Sequence, residues 1–142
     1  MFAVLSVSKG SVMTRGNARE LAVHLIYARE FTGEEPEHVV AVRLQKEYYA
    51  QLAQENEVYA ERPSRAQLRY LDTVVSGVAN REEELNSYIR KFSIGWDISR
   101  ISKLTRTIMQ LAIFEILFVE DVPTGVAISE AVRLAKLYDG DD

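Results

Sequence analysis

The chain has 142 residues, no cysteine, two histidines and a formal net charge of −4. The absence of cysteine excludes disulfides, thiol nucleophiles and thiolate metal sites, and two histidines exclude a histidine-rich metal cluster. Because the chain is acidic overall, any contact with RNA or DNA must come from a local basic patch. No apolar run approaches the roughly 20 residues that a membrane-spanning helix needs. A reducing, cytoplasmic setting fits this composition.

The first residues differ from the rest of the chain. Residues 1–12 are mildly apolar, but they lack the basic start, the long apolar stretch and the small-residue cleavage site of a secretory signal. We interpret them as a disordered N-terminal extension, with Met13 as the natural first residue. Residues 13–142 are then expected to form the folded domain.

Two helices are predicted in the first third of the chain. Apolar residues recur at helical spacing from Asn17, the expected N-cap, to Phe31, and Gly33 is expected to end this helix. The second helix begins at Pro36, a residue suited to a first turn, and neighbouring glutamates complement the helix dipole there. Its apolar pattern continues through Tyr48.

The clearest helix begins near the middle of the chain. Ser64 and Gln67 have the spacing of a capping box, in which each side chain bonds the backbone N–H of the other residue. Apolar residues then recur in steps of three and four as far as Phe92, with one interruption at Glu82. If unbroken, this helix has about 28 residues and a length of roughly 42 Å. Gly77 inside it is expected to mark a close helix crossing.

Two more helices are predicted before the chain ends. Residues 103–119 are apolar on nearly every side, which predicts a helix at the centre of a bundle. Pro123 ends that segment, and residues 126–138 form the last helix, with one apolar face. Because no convincing alternating strand is present, the predicted fold class is all-α, a compact helical bundle.

The residue pattern gives no support for catalysis. His24 and His38 are isolated, and neither has a neighbouring nucleophile that would form a pair. The acidic runs are typical of solvated faces, and residues 139–142 lack the spaced oxygen ligands of a calcium loop. No glycine-rich phosphate-binding motif occurs. We therefore predict a protein that is not an enzyme, with no catalytic residue, no metal and no cofactor.

A basic patch is expected at the start of the first helix. Arg15 and Arg19 are one helical turn apart, so both can point the same way. Guanidinium groups suit phosphate oxygens, and Tyr27 on the same helix offers a ring for base stacking. Residues 31–63, by contrast, carry seven glutamates and three basic residues. By itself, the pattern is also that of an ordinary solvated helix face.

Four stretches of the sequence, taken in chain order, favour a functional basic patch over an ordinary solvated helix face. Arg15 to Tyr27 contains the pattern R-x-x-A-R-x-x-A, and residues 70–78 resemble Y-x-x-x-L-v-x-G-v. Residues 96–117 are similar to W-x-l-x-R-l followed by R-x-i-L-R-L-A-x-y-E-l-l, and residues 121–136 are similar to D-i-P-x-x-v-a-I-n-E-A-v-e-L-A-K. Together these stretches resemble the NusB transcription antitermination family.

The resemblance implies a fold, a function and partners. It implies two small three-helix subdomains and binding to the boxA element of rRNA leader transcripts together with NusE, a small-subunit ribosomal protein. Relatives help the RNA polymerase elongation complex to read through terminators, without catalysis or cofactor. The resemblance leaves a homodimer open.

Site residues follow from matching positions. Arg15 and Arg19 match basic positions proposed to hold RNA phosphates, and Tyr27 matches the aromatic residue of the same motif. Arg100, Thr105 and Arg106 fall in the region that resembles the NusE-facing part of the family. Thr105 stands where an acidic residue is common.

Two other functions remain open at this point. The chain could be the NusB-like accessory domain of an rRNA cytosine methyltransferase, or a helical adaptor that binds only protein. The family also continues into one more helix, and we expect this chain to lack it as a C-terminal truncation. The surface around Leu134 and Tyr138 is then expected to be more exposed than in a complete relative.

Overall fold

The computed structural model describes residues 13–54, 61–92, 99 and 101–139. These residues contain helices and no strand, which confirms the all-α prediction. The predictions made for residues 1–12, Trp96 and Arg100 lie outside the described residues. In chain order the helices are α1 (Arg15–Thr32), α2 (Pro36–Arg43), α3 (Lys46–Ala53), α4 (Arg65–Asn80), α5 (Glu82–Phe92), α6 (Lys103–Phe118) and α7 (Thr124–Asp139).

The chain divides between Thr73 and Val74 into two compact units. The first unit contains α1, α2, α3 and the first half of α4, and the second contains the rest of α4 with α5, α6 and α7. Two small helical subdomains are what the family resemblance implied. None of the described helices is both long enough and apolar enough to cross a membrane.

Helix α1 is fixed at both ends by local hydrogen bonds. The hydroxyl of Thr14 accepts a hydrogen bond from the backbone N–H of Asn17 at 3.0 Å, so Thr14 is the N-cap. The prediction of Asn17 as the cap was therefore wrong by three residues. Gly33 ends the helix as predicted, in the left-handed conformation with φ of 70°, which glycine adopts without a steric penalty.

The predicted second helix is interrupted after Arg43, and α3 begins at Lys46. The carbonyl oxygen of Leu44 leaves the helical hydrogen-bond pattern and accepts a hydrogen bond from the Arg62 guanidinium at 2.8 Å. The same guanidinium lies over the ring of Tyr49, 5.2 Å from its centroid. A distant arginine thus satisfies the carbonyl at the break, which the periodicity of the local sequence does not reveal.

The capping box at the start of α4 is confirmed. The Ser64 hydroxyl accepts a hydrogen bond from the Gln67 backbone at 3.2 Å, and the Gln67 side-chain oxygen accepts one from the Ser64 backbone at 2.8 Å. The Gln67 side-chain nitrogen also donates to the backbone carbonyl of Met13 at 2.6 Å. One side chain therefore caps α4 and holds the residue that precedes the N-cap of α1.

The single long helix expected from Ser64 to Phe92 is instead two helices, α4 and α5, which meet at Arg81. The first turn of α5 carries three consecutive glutamates, residues 82–84, and negative charge favours a helix N-terminus there. The interruption of the apolar pattern at Glu82 was the sequence signal for this break.

The core of the second unit lies where α4, α5, α6 and α7 bury their apolar residues. Helix α6 packs against both α5 and α7. A side chain at Gly77 would collide with the ring of Phe114, which confirms the prediction of a close helix crossing at this glycine. The buried apolar residues of this unit are Val74, Val75, Val78, Leu85, Ile89, Ile108, Leu111, Phe114, Ala127 and Leu134.

The expectation that α6 is covered on all sides was wrong at its C-terminal end. Its last three residues, Ile116, Leu117 and Phe118, are each about two-fifths exposed. The expected buried face of α7 also needs correction, because Ile128 is 52% exposed whereas Leu134 is buried. Exposed apolar residues of the second unit lie at the end of α6 and along α7.

Candidate nucleic-acid interface

The start of α1 presents a positive charge to solvent. Arg15 is the first residue of the helix and is exposed. The first turn contains no acidic residue, so nothing on this turn opposes the partial positive charge of the helix N-terminus. Arg15 and the unopposed helix dipole together favour an anion at this position.

Arg19 differs from Arg15 in its surroundings. The two residues are four apart and lie along the same side of α1, but Arg19 is only 7% exposed. It also has an interaction partner within the protein. Arg15 can therefore meet a phosphate directly, whereas Arg19 would need to expose its guanidinium first. The spacing of the two arginines in the sequence did not indicate this difference, because spacing predicts which face of the helix a residue lies on and not how deeply its side chain is buried.

Tyr27 lies apart from the two arginines. It is 12 residues beyond Arg15, which is roughly 18 Å along the helix and about 120° around it. Tyr27 is half-buried and makes an edge-to-face contact with Phe31, with ring centroids 4.9 Å apart. Phe31 is 61% exposed and was missed by the sequence reasoning. The signal that could have found it is its spacing of four residues from Tyr27.

The stretch directly after α1 is acidic. Glu34 pairs with His38 at 2.9 Å, and Glu35 and Glu37 are exposed at the start of α2. Negative charge at this position repels phosphate. The start of α1 therefore suits phosphate better than the acidic stretch that follows the helix, although the last turn of the helix itself carries Arg29.

His24 adds no positive charge to this helix at neutral pH. Burial lowers its pKa, and Arg43 lowers it further, while Glu20 opposes the shift. The neutral imidazole is therefore the form that the folded protein holds at pH 7.

The residues expected to face a protein partner begin α6, in the second unit. Ser102 is the N-cap of this helix, and its hydroxyl accepts a hydrogen bond from the Thr105 backbone at 3.1 Å. The same hydroxyl donates to the Thr105 hydroxyl at 3.0 Å. Thr105 and Arg106 are both half-buried, while Arg100 lies outside the described residues. Thr105 therefore takes part in the N-cap of α6 through both its backbone and its hydroxyl. An acidic residue at this position would add a negative charge to the first turn of the helix.

The described residues contain no group of three or more histidine or acidic side chains that could hold a metal ion.

Comparisons with known proteins agree with these patterns. The model of the NusB family matches residues 16–142. The chain is 36% identical to a transcription antitermination protein NusB from Natranaerobius thermophilus, over 91% of this chain and 85% of that protein. It is 38% identical to the protein of that name from Acetivibrio thermocellus, over 92% of this chain and 80% of the relative. The protein of that name from Rubrobacter xylanophilus is 36% identical over 92% of this chain and 81% of its own length.

Proposed function

Because this chain belongs to the NusB family, we propose that it is a transcription antitermination factor. In the fuller form of the proposal it binds boxA-type RNA in rRNA leader transcripts together with NusE and promotes read-through by RNA polymerase. The relatives named above are called transcription antitermination proteins. The proposal assigns the protein no catalytic step and no cofactor.

One observation carries the RNA-binding part of the proposal. Arg15 is exposed on a helix N-terminus whose first turn has no acidic residue. A guanidinium at the positive end of a helix dipole suits a phosphate oxygen. Tyr27 is then the candidate for a base contact further along the strand, about 18 Å away, a span of several nucleotides rather than one.

The role of Arg19 in this proposal is to hold the surface that presents Arg15. At 7% exposure, its long side chain is packed against the protein. Replacing it with alanine removes both packing and an internal interaction, so we expect a loss of about 1–3 kcal/mol in the free energy of unfolding. Replacing the exposed Arg15 should change that free energy by about 0.5 kcal/mol or less.

Fluorescence anisotropy with boxA RNA and a scrambled RNA, with and without NusE, tests the function. We expect tighter binding to boxA, strengthened further by NusE and weakened by salt as counterions are displaced. Arg15→Ala should weaken binding of both RNAs by about fivefold and lower the salt slope by about 0.7. Arg90→Ala, which removes an exposed arginine from α5, is the matched control and should change little.

Two results would count against the proposal. Equal binding of boxA and scrambled RNA in the presence of NusE would leave a protein-only adaptor. An unchanged affinity and salt slope in Arg15→Ala would remove the start of α1 from the RNA interface.

A further inference from the structure

A pocket of about 450 Å³ opens on the second unit and shares no residue with the candidate nucleic-acid interface. It lies where α4 ends, α5 begins and α6 ends, and it is lined by Gly77, Asn80, Arg81, Glu83, Glu84, Phe114 and Phe118. The missing side chain of Gly77 leaves room for the ring of Phe114 at its base. Phe118 stacks on Phe114 with centroids 5.1 Å apart and is 39% exposed.

The aromatic wall of this pocket already binds a guanidinium. The guanidinium carbon of Arg81 lies 4.1 Å from the centroid of the Phe118 ring. A nitrogen of the same group is 3.0 Å from a Glu84 carboxylate oxygen. An aromatic face with a carboxylate beside it is the arrangement that binds arginine side chains. Arg81 therefore makes with Phe118 and Glu84 the same contacts that an arginine of a partner protein would make.

The internal contact is weakly held. Both Arg81 and Glu84 are more than two-fifths exposed, and ion pairs of this kind add little stability in water. Arg81 lies at the joint between α4 and α5, and its side chain is already 45% exposed to the solvent into which it would turn. A second guanidinium could take its place on Phe118 at low cost.

The charges around the pocket favour a positive occupant. Glu82, Glu83 and Glu84 form the first turn of α5, and Glu120 and Asp121 are exposed directly after α6. The C-terminal ends of α4 and α6 add partial negative charge, and the glutamates in the first turn of α5 offset the partial positive charge of its N-terminus. The basic residues here are Arg81 and also Arg90, whose guanidinium is 3.7 Å from Glu83. The pocket lining itself carries two carboxylates, Glu83 and Glu84, and one guanidinium, Arg81.

We propose that this pocket, which we call the Phe118 pocket, is a docking site for an arginine side chain in a basic segment of a partner protein. Arg81 acts as its internal competitor, and the partner's guanidinium displaces Arg81 from the Phe118 ring and pairs with Glu84. The site contains none of the residues at the start of α1, and the proposal does not depend on RNA binding.

NMR titration of the full-length ¹⁵N-labelled protein tests the docking site. The probe is the capped peptide acetyl-Gly-Leu-Arg-Leu-Gly-amide, compared with peptides that carry citrulline or glutamate in place of arginine. We expect saturable shifts of amide signals from residues 77–84 and 114–118 with the arginine peptide alone. Citrulline keeps the shape and removes the charge, so its failure to bind would identify charge as the determinant.

Three variants separate the competitor from the site. Arg81→Ala should tighten the arginine peptide at least about threefold, because it removes the internal guanidinium. Phe118→Ala and Glu84→Gln should each weaken it by about threefold or more, the range of a cation–π or exposed ionic contact. Glu84 is exposed, so the Glu84→Gln result is independent of any effect of Phe118→Ala on folding.

The opposite results overturn the proposal. Weaker binding in Arg81→Ala, or binding of the glutamate peptide, would make Arg81 an anchor for an acidic partner. Shifts of the same amides with boxA RNA and none with the arginine peptide would assign the pocket to nucleic acid. The absence of any shift at millimolar peptide would remove the site, while the RNA titrations of the start of α1 would be unaffected.

Discussion

Gly77→Ala should destabilise the protein, although the same change in most helices is stabilising. Alanine in place of glycine in a helix interior ordinarily adds about 1 kcal/mol to the free energy of unfolding. At Gly77, however, the new methyl group would overlap two atoms of the Phe114 ring and lie 3.0 Å from a third. Phe114 is 4% exposed and its ring contacts the ring of Phe118, so moving the Phe114 ring away from the new methyl group disturbs that contact.

The expected magnitude follows from these two opposing effects. Forcing an extra methyl group into a packed core costs typically about 1–3 kcal/mol. After the helix propensity gain is subtracted, we expect a net loss of about 1 kcal/mol and at most about 2 kcal/mol. For a chain of this length, 1 kcal/mol corresponds to a fall in Tm of about 3 °C.

Urea unfolding followed by circular dichroism measures this loss. Gly125→Ala is the matched control, since a methyl group at Gly125 in α7 would meet no atom within 4 Å, and we expect it to gain about 0.5 kcal/mol. Phe114→Leu removes the ring edge, so the double variant with Gly77→Ala should show a coupling of about 1 kcal/mol. If Gly77→Ala instead stabilised the protein as much as Gly125→Ala, the close crossing of α4 and α6 would be refuted.

Two further predictions concern the first unit. Burial lowers the pKa of His24, so as pH falls below about 6.5 the histidine is protonated in the unfolded chain before it is protonated in the folded protein. The free energy of unfolding should therefore drop by at most about 1.4 kcal/mol between pH 7.5 and 5.5. Urea unfolding should show a smaller drop in this free energy for His24→Asn than for the wild type. An unchanged drop would exclude His24 as its source. His38→Asn, at an exposed site, is the control. Ser64→Ala should cost about 1 kcal/mol by removing the acceptor for the Gln67 backbone N–H, and no change in the urea midpoint would contradict a stabilising cap.

Local signals in the sequence predicted much of the fold. Gly33 and Pro36 mark a helix end and a helix start that the structure confirms, and Ser64 with Gln67 marks another. Each of these signals acts within four residues, so each can be read from one stretch of sequence. The break after Arg43 could not be read in this way, because the group that satisfies its free carbonyl comes from 18 residues further along the chain.

The candidate sites were harder to predict, for a related reason. The spacing of Arg15 and Arg19 predicts a shared direction, but their different exposure depends on what packs around α1. The Phe118 pocket brings residues 77–84 together with Phe114 and Phe118, which lie 30 or more positions further along the chain, and no motif links them. Helical periodicity identifies which residues can be buried, but it does not identify which surface residues meet.

The bond from Gln67 to the Met13 carbonyl has a consequence for how mutations in this protein are interpreted. Met13 is buried and lies two positions before Arg15, so a side chain 54 residues away along the chain helps to set where α1 begins. A substitution at Gln67 can therefore mimic the loss of an arginine that it never touches. In a genetic screen for RNA-binding defects, position 67 would therefore be recovered as a false member of the interface. A second, unrelated substitution that restored the thermal stability of such a variant would not restore the position at which α1 begins.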